Sequence, residues 1–341
     1  MNQDTARIVS IECYLPEKIL TNNELEKLFL DWTADKIYSK TGVLSRHIAS
    51  ESECSSDLGI EAARKLFNSN SIDVDSIDVL IFCTETPDYL IPTTACIIQD
   101  KLGLSTSCSA FDINLGCSGF VYGLSIAKAY ICSNMANNVL LITAETYSKI
   151  INPKDKSVRT IFGDAGCATL ISSGEGTANI GNFVLGTDGT GHKNLIVPTS
   201  GFRMPKNPQT AIEQEDNSGN VRSLDNLYMN GSSIFTFTIT TVPKAINQFF
   251  QKYSLSLDDI DWFVFHQANK YMVDHLVKKM NIPESKAPIC IEEYGNTVSS
   301  SIPITLKDCQ EKGMFQKNDK ILLVGFGIGY SWGVTLLEWH G

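Results

Sequence analysis

One pattern is written twice in this chain, half a chain apart, and nothing else in it constrains the fold as much. Asp78-Val79-Leu80-Ile81-Phe82-Cys83-Thr84 and Asp261-Trp262-Phe263-Val264-Phe265-His266-Gln267 are both apolar runs opened by an aspartate and followed by a helix-forming segment. Leu115-Gly116-Cys117-Ser118 and Tyr294-Gly295-Asn296-Thr297 open helices at matching places, and Val139 to Glu145 has its counterpart in Ile321 to Gly327. A repeated unit that cannot bury its own apolar face is stable only against a neighbour, so two copies imply two units packed together. Unbroken apolar runs of this length suit strands buried on both faces, which need helices on each side. The expected fold class is α/β: two similar β/α halves, stacked as sheets with helices between and outside. The halves divide at 1–175 and 176–341, and the polar stretch 201–226, with two prolines and two glycines, is expected to be a loop or lid between them.

The chemistry is expected at the ends of the repeated unit. An alternating run from Phe111 ends at Gly116-Cys117, and an apolar-periodic segment through Val121, Leu124, Ala127 and Ile131 follows directly, which reads as strand, tight turn and buried helix. Cys117 then stands at a helix N-terminus, where free backbone N–H groups and the positive end of the macrodipole favour thiolate and make a nucleophile. His266 closes an apolar strand, and Asn296 follows a glycine at a helix start. Taken singly, these are an inert core cysteine, a satisfied core histidine and an ordinary N-cap. At matching ends of one repeat they read as a shared site, because C-terminal strand ends are where open α/β sheets bind ligands. His47, His192, His275 and His340 have no such setting, and no metal site is expected from them.

Elsewhere, residues 6–14 read as a first strand, and Thr21 followed by Glu24 carries a helix-start signature. Helices are expected from Ser55 to Phe67 and from Thr93 to Leu104, and Ile161 to Leu170 reads as a turn feeding a strand. Gly325-Phe326-Gly327-Ile328-Gly329 looks like a phosphate loop, but that motif needs a helix behind it, and Tyr330 to Glu338 reads as strand. The glycines are better used to bring backbone N–H groups close to a carbonyl that Cys117 attacks.

Composition removes several function classes. The ten cysteines are scattered through apolar runs with no C-x-x-C pair, which argues for reduced thiols and against a zinc site or disulfide framework. The first residues have no apolar leader, and no run approaches a membrane span, so a cytoplasmic protein is expected. A net charge of −10 is wrong for a sequence-independent nucleic-acid binder or an anionic-membrane binder. An acidic protein partner would need a local basic patch.

Together these residues resemble the thiolase-fold condensing enzymes, most closely the ketoacyl-ACP synthase III family. The resemblance rests on Asn114 to Gly119 with Cys117, Ile161-Phe162-Gly163-Asp164-Ala165-Gly166, His266-Gln267-Ala268-Asn269, Tyr294-Gly295-Asn296-Thr297 and Gly325 to Gly333, and runs from about residue 6 to Glu338. It implies a five-layer αβαβα fold, a homodimer, an acyl carrier protein as partner and no cofactor beyond the CoA or carrier phosphopantetheine that brings the substrates. It also implies an acyl group passed to Cys117 and condensed with a malonyl thioester. His266 and Asn296 would serve the decarboxylation, and the backbone N–H groups of Cys117 and Ile328 would form the oxyanion hole.

The chain departs from the family where the acyl donor binds. Lys36 stands where the family has its adenine-stacking tryptophan, Lys40 and Lys156 stand where it has arginines, and Tyr271, next to Lys270, replaces a basic residue. Trp32, just before Lys36, offers a substitute ring. Lys36, Lys40, Lys156 and Lys270 are therefore the expected donor- or carrier-binding residues. Ile328 replaces the middle glycine of the family's Phe-Gly-Gly-Gly turn. Cys, His and Asn stand in the order of a papain-like protease, but the repeat and the cysteine's surroundings argue otherwise. A non-enzymatic dimer subunit would not need the triad. The serious alternative is an acyltransferase of the same fold that delivers the acyl group to oxygen or nitrogen.

Overall fold

The computed structural model describes residues 5–341. The first half opens with β1 (Arg7–Tyr14) and a hairpin of β2 (Lys18–Thr21) and β3 (Ser45–Ile48) that encloses α1 (Asn22–Leu28) and α2 (Ala34–Thr41). There follow α3 (Ser55–Asn70), β4 (Val79–Cys83), α4 (Thr94–Leu102), β5 (Ser109–Ile113), α5 (Gly119–Cys132), β6 (Asn138–Glu145), the short α6 (Lys156–Arg159) and β7 (Ala165–Ser172). The second half runs through β8 (Ala178–Thr187), the short strands β9 (Leu195–Ile196), β10 (Gln214–Glu215), β11 (Val221–Arg222) and β12 (Tyr228–Met229), then α7 (Gly231–Tyr253) and β13 (Trp262–Phe265). It ends with α8 (Lys270–Lys279), α9 (Ile291–Tyr294), α10 (Ser301–Glu311), β14 (Lys320–Gly327) and β15 (Ser331–Trp339). The expected start signature at Thr21 is a full capping box with Glu24.

The repeat seen in the sequence is a repeat in strand pairing. β4 runs parallel to β6, β6 antiparallel to β7 and β7 antiparallel to β1, and in the same way β13 runs parallel to β14, β14 antiparallel to β15 and β15 antiparallel to β8. Register extends the match to single residues: Val79 faces Val139 as Trp262 faces Ile321, which makes Cys83 the equivalent of His266 and Glu145 the equivalent of Gly327. β5 has no partner strand in the second copy, and it forms one edge of the sheet. The two blocks stack on either side of shared helices, as expected, and a two-residue pairing of β1 with β8 also joins their strands into one nine-stranded ladder.

Helices cover the blocks in layers, giving the αβαβα thiolase fold. One face of β4, β6 and β7 packs under α3 and α4 through Leu80, Phe82, Leu140 and Leu170. The opposite faces of both blocks close on α5 and α10, where Phe120, Leu124, Ile302 and Leu306 meet Ile81, Leu141, Val264 and Leu323. The outer face of the second block lies under α7 and α8, with Phe263, Phe265, Leu322 and Val324 against Ile246, Phe249 and Leu276. β4 is buried from end to end, as an unbroken apolar run between two helix layers requires.

Of the two readings expected for segment 201–226, loop or lid, the structure shows a loop. Its β10–β11 ribbon lies over α6: Arg222 pairs with Asp155 at 2.7 Å and Asp216 at 2.6 Å, and Lys154 pairs with Glu213 at 2.6 Å. Charge pairing to the first half holds it there, and it contributes nothing to the wall of the cavity described next.

Candidate active site

Cys117 sits in a tight turn closed by the Gly119 N–H donating to the Gly116 carbonyl at 2.7 Å, at the entry to α5. The helix is driven inward by an apolar surface that both blocks cover, so its N-terminus is carried to the strand ends and Cys117 is only 5% exposed. The end of β14 presses against it. A Cβ added at Gly327 would fall 2.7 Å from Cys117 Cβ and 2.9 Å from its Sγ, so glycine is required there by close approach. The family-type glycine run thus brings the backbone of the turn after β14 to the sulfur, and the Ile328 N–H hydrogen-bonds toward it.

His266 leaves β13 with its backbone N–H donating to the Val324 carbonyl at 2.9 Å. Its Nδ1 lies 2.7 Å from Ser301 Oγ on α10, and its ring stands edge-on to Phe326 at 5.5 Å. Asn296 lies in the loop before α10, not at the helix start itself. Its backbone bridges to the loop around Phe162, the N–H donating to Ile161 and the carbonyl accepting from Gly163. The side chain donates from Nδ2 to the Ala268 carbonyl at 3.2 Å and accepts from the Val298 N–H at 2.9 Å. Val298 is held at φ +54°, a left-handed conformation costly for a β-branched residue, and its backbone hydrogen-bonds to both the Asn296 and the His266 side chains.

Cys117, His266 and Asn296 all line one cavity of about 180 Å³, whose remaining wall is largely apolar and includes Phe162, Ile234, Met272 and Phe326. Burial dominates the electrostatics. His266 is pushed down to about 3, burial outweighing a hydrogen bond to the backbone of Val298, so the imidazole is neutral. Burial likewise pushes the Cys117 thiol well up, with the Glu85 and Glu145 carboxyls adding to the effect and the N–H groups of Ile328 and Cys117 opposing it. This corrects the thiolate expected from the helix terminus alone: in the resting site desolvation and nearby acids outweigh it, and the thiol keeps its proton.

The description 3-oxoacyl-[acyl-carrier-protein] synthase III fits residues 111–189, and that of the same enzyme's C-terminal region fits residues 250–339. The beta-ketoacyl-[acyl-carrier-protein] synthase III of Caldanaerobacter subterraneus subsp. tengcongensis is 38% identical over 334 residues, covering 98% of each chain. The chain belongs to the 3-oxoacyl-[acyl-carrier-protein] synthase III family. It is an acyl-transferring condensing enzyme of that type. A crystal structure of a 3-oxoacyl-(acyl-carrier-protein) synthase III superposes with a TM-score of 0.96 at 47% identity, covering 98% of this chain and all of the other. The 3-oxoacyl-(acyl-carrier protein) synthase of Burkholderia xenovorans superposes with a TM-score of 0.89 at 36% identity, covering 98% of this chain and 94% of the other.

The four lysines expected at the enzyme's donor site are not a free basic cluster. Lys156 is buried and paired to Asp31 at 2.6 Å. Lys36 donates to the Asp31 carbonyl at 2.8 Å, and its ammonium lies 5.3 Å from the centre of the Trp32 ring. Trp32 precedes the Thr33 cap of α2, so the two residues do not share a helical face, and the ring already carries a cation. Lys270 pairs with Asp274 at 2.7 Å, and Lys40 is exposed on α2. Sequence reasoning missed Ser301, which fixes the His266 ring, and the acids Glu85, partly buried, and Glu145, fully buried. The run Thr297-Val298-Ser299-Ser300-Ser301 was the available signal for the first, but nothing local marks the acids.

The neutral His266 carries a testable pH signature. Because its folded pKa lies below the unfolded value, the unfolded chain binds the extra proton, and stability should fall as pH drops from about 6.5 toward 3. His266→Gln should flatten that part of the urea-midpoint-versus-pH curve. The His266 ring nitrogens should show the neutral form by NMR at pH 5, and a protonated ring there would contradict the site as described.

Proposed function

We propose that Cys117 accepts an acyl group from a phosphopantetheine thioester, and that this group is then condensed with a malonyl thioester in fatty acid or related acyl biosynthesis. The observation that carries this reading is the single cavity shared by Cys117, His266 and Asn296. In the first step the Cys117 sulfur attacks the donor carbonyl, the new C–S bond forms as the donor's C–S bond breaks, and the thiol proton leaves with the departing thiolate. The raised thiol pKa suits this, since proton loss is coupled to transfer. In the second step the malonyl carboxylate leaves as carbon dioxide and its electrons pass to the thioester oxygen. With the Ser301 hydroxyl donating to Nδ1, His266 offers Nε2–H to that oxygen, and Asn296 offers the Nδ2 hydrogen not used by Ala268. The enolate carbon attacks the acyl-cysteine, and the N–H groups of Cys117 and Ile328 receive the developing oxyanion, each worth about 3 kcal/mol; its collapse breaks the acyl C–S bond, and the Cys117 thiolate leaves and takes up a proton from solvent. These steps call for no metal or resident cofactor.

The partner is an acyl carrier protein, and the protein itself pairs with a second copy. Two features support the pairing. β5 is an edge strand with its apolar Phe111 and Ile113 only half-buried, and Tyr89, Leu90 and Ile91 stand 61%, 65% and 86% exposed on the loop after β4. An open edge beside a large apolar patch is an association surface. No helix among the described residues is long and apolar enough to cross a membrane, and a cytoplasmic location is part of the same proposal.

Three outcomes are expected. Intact-mass analysis should find the acyl group on Cys117 and none on Cys117→Ala, while His266→Ala and Asn296→Ala should still acylate but lose malonyl turnover about 100-fold or more; acylation at another cysteine would sink the assignment. An acyl chain on carrier protein should acylate Cys117 faster than the same chain on CoA, because Lys36 and Lys156 are occupied and offer no planar surface for adenine. Equal or faster acylation from CoA at low salt would return the enzyme to CoA priming. Sedimentation equilibrium should give a dimer, and Phe111→Lys should shift it toward monomer; a wild-type monomer at micromolar concentration would refute the pairing.

A further inference from the structure

A second polar group stands beside the nucleophile, and none of the steps above uses it. We infer that the carboxyl of Glu85, with the hydroxyl of Tyr147, reads the acyl group delivered to Cys117 and selects chains that carry a hydroxyl or amine on their first few carbons. The inference rests on the reading of Cys117 as acyl acceptor.

Position comes first. Glu85 stands two residues beyond the end of β4, between the Cys117 turn that follows β5 and the end of β6, on the strand-end side where open α/β sheets hold ligands. Its Oε2 lies 2.3 Å from where a Cβ on Gly116 would be, and Ile328 Cγ2 lies 3.0 Å from the same point. Gly116 precedes the nucleophile, and Ile328 directs its N–H toward the sulfur. The carboxyl therefore stands beside the backbone of the turn that carries the nucleophile. Tyr147, 1% exposed, donates its hydroxyl to Oε2, shares the apolar cluster of Cys117, and packs 5.1 Å from Phe162 on the cavity wall.

The hydrogen bonding leaves one acceptor free. Glu145 is fully used: it accepts from the hydroxyls of Thr84 at 3.3 Å, Thr86 at 3.0 Å and Ser299 at 2.9 Å, and from the Glu85 backbone N–H at 3.1 Å, so it fixes Glu85 in place. Glu85 has Tyr147 as its side-chain partner on Oε2, and no group among the described residues donates to its Oε1; the residue is only half-buried. Surroundings that strip water from the carboxyl push Glu85 up to about 7. Near neutrality it can therefore face an ammonium as carboxylate or accept from a hydroxyl in either state.

An unbranched alkyl chain laid against this carboxyl would take its remaining water and return no hydrogen bond, which is penalised. A donor on the chain satisfies Oε1. Sites built to hydrogen-bond a substrate group reject the analogue that lacks it far more strongly than apolar pockets reject an extra methylene.

The test is acylation of the full-length protein by three pantetheine thioesters, butanoyl, 3-hydroxybutanoyl and 3-aminobutanoyl, followed as the rate of mass gain on Cys117. The wild type should take the hydroxy or amino chain about 10-fold or more faster than butanoyl. Glu85→Ala should remove that preference by speeding butanoyl and slowing the others, and Tyr147→Phe should reduce it. Glu85→Gln, which keeps the side-chain volume, should lose the amine preference and keep part of the hydroxyl preference, and it carries the test if the alanine variant does not fold. Butanoyl acylation as fast as the others in the wild type, or a preference unchanged in the Glu85 variants, overturns the inference while leaving Cys117 as acceptor. Failure of all three thioesters to acylate Cys117 overturns the acceptor reading and the inference with it.

Discussion

Everything in this molecule depends on covering α5 and α10 from both sides. α5 is apolar around most of its circumference, and α10 is buried on every side from Ser301 to Leu306, so neither segment is stable unless no face of it meets water. Two blocks of sheet supply the two walls. The demand that they close on the same pair of helices sets their separation and direction and brings their strand ends together at one place. The Cys117 turn, the end of β13 and the loop before α10 meet because those helices are shared. The site follows from the core geometry, and the glycines at the end of β14 permit the last approach.

Burial then decides the protonation states. A neutral histidine, a protonated thiol and a half-shared carboxyl pair are what desolvation produces when polar groups are drawn into a closed apolar core. For His266 this is useful chemistry: a neutral ring held by Ser301 can donate a hydrogen bond without competing for protons. For Cys117 it moves deprotonation from the resting state into the transfer step. The helix terminus contributes N–H groups and a local field, but over this distance they are weaker than the loss of water around sulfur.

Lys36 and Lys156 are occupied by Asp31. Lys156 lies under the β10–β11 ribbon and neutralises Asp31, whose carboxyl is thereby held below its usual range. These two cations, which look like part of a binding patch in a list of positions, are here the struts of a loop.

Much of this was legible without coordinates. The two-copy plan, the strand character of the apolar runs and the placing of Cys117, His266 and Asn296 at matching ends are properties of local periodicity, because side-chain alternation and the turn chemistry of glycine are written over a few residues. That the three share one cavity followed from the repeat. What only the tertiary structure decided depends on partners far apart in the chain: the Asp31–Lys156 pair, Ser301 behind His266, the packing of 201–226 on α6, and Glu85 beside Gly116. The protonation of Cys117 belongs with these, since it depends on how much water the whole core removes and on acids brought in from β4 and β6. Periodicity says which way a side chain points along its own element. It does not say what stands opposite, and for a buried charge that is the larger energy.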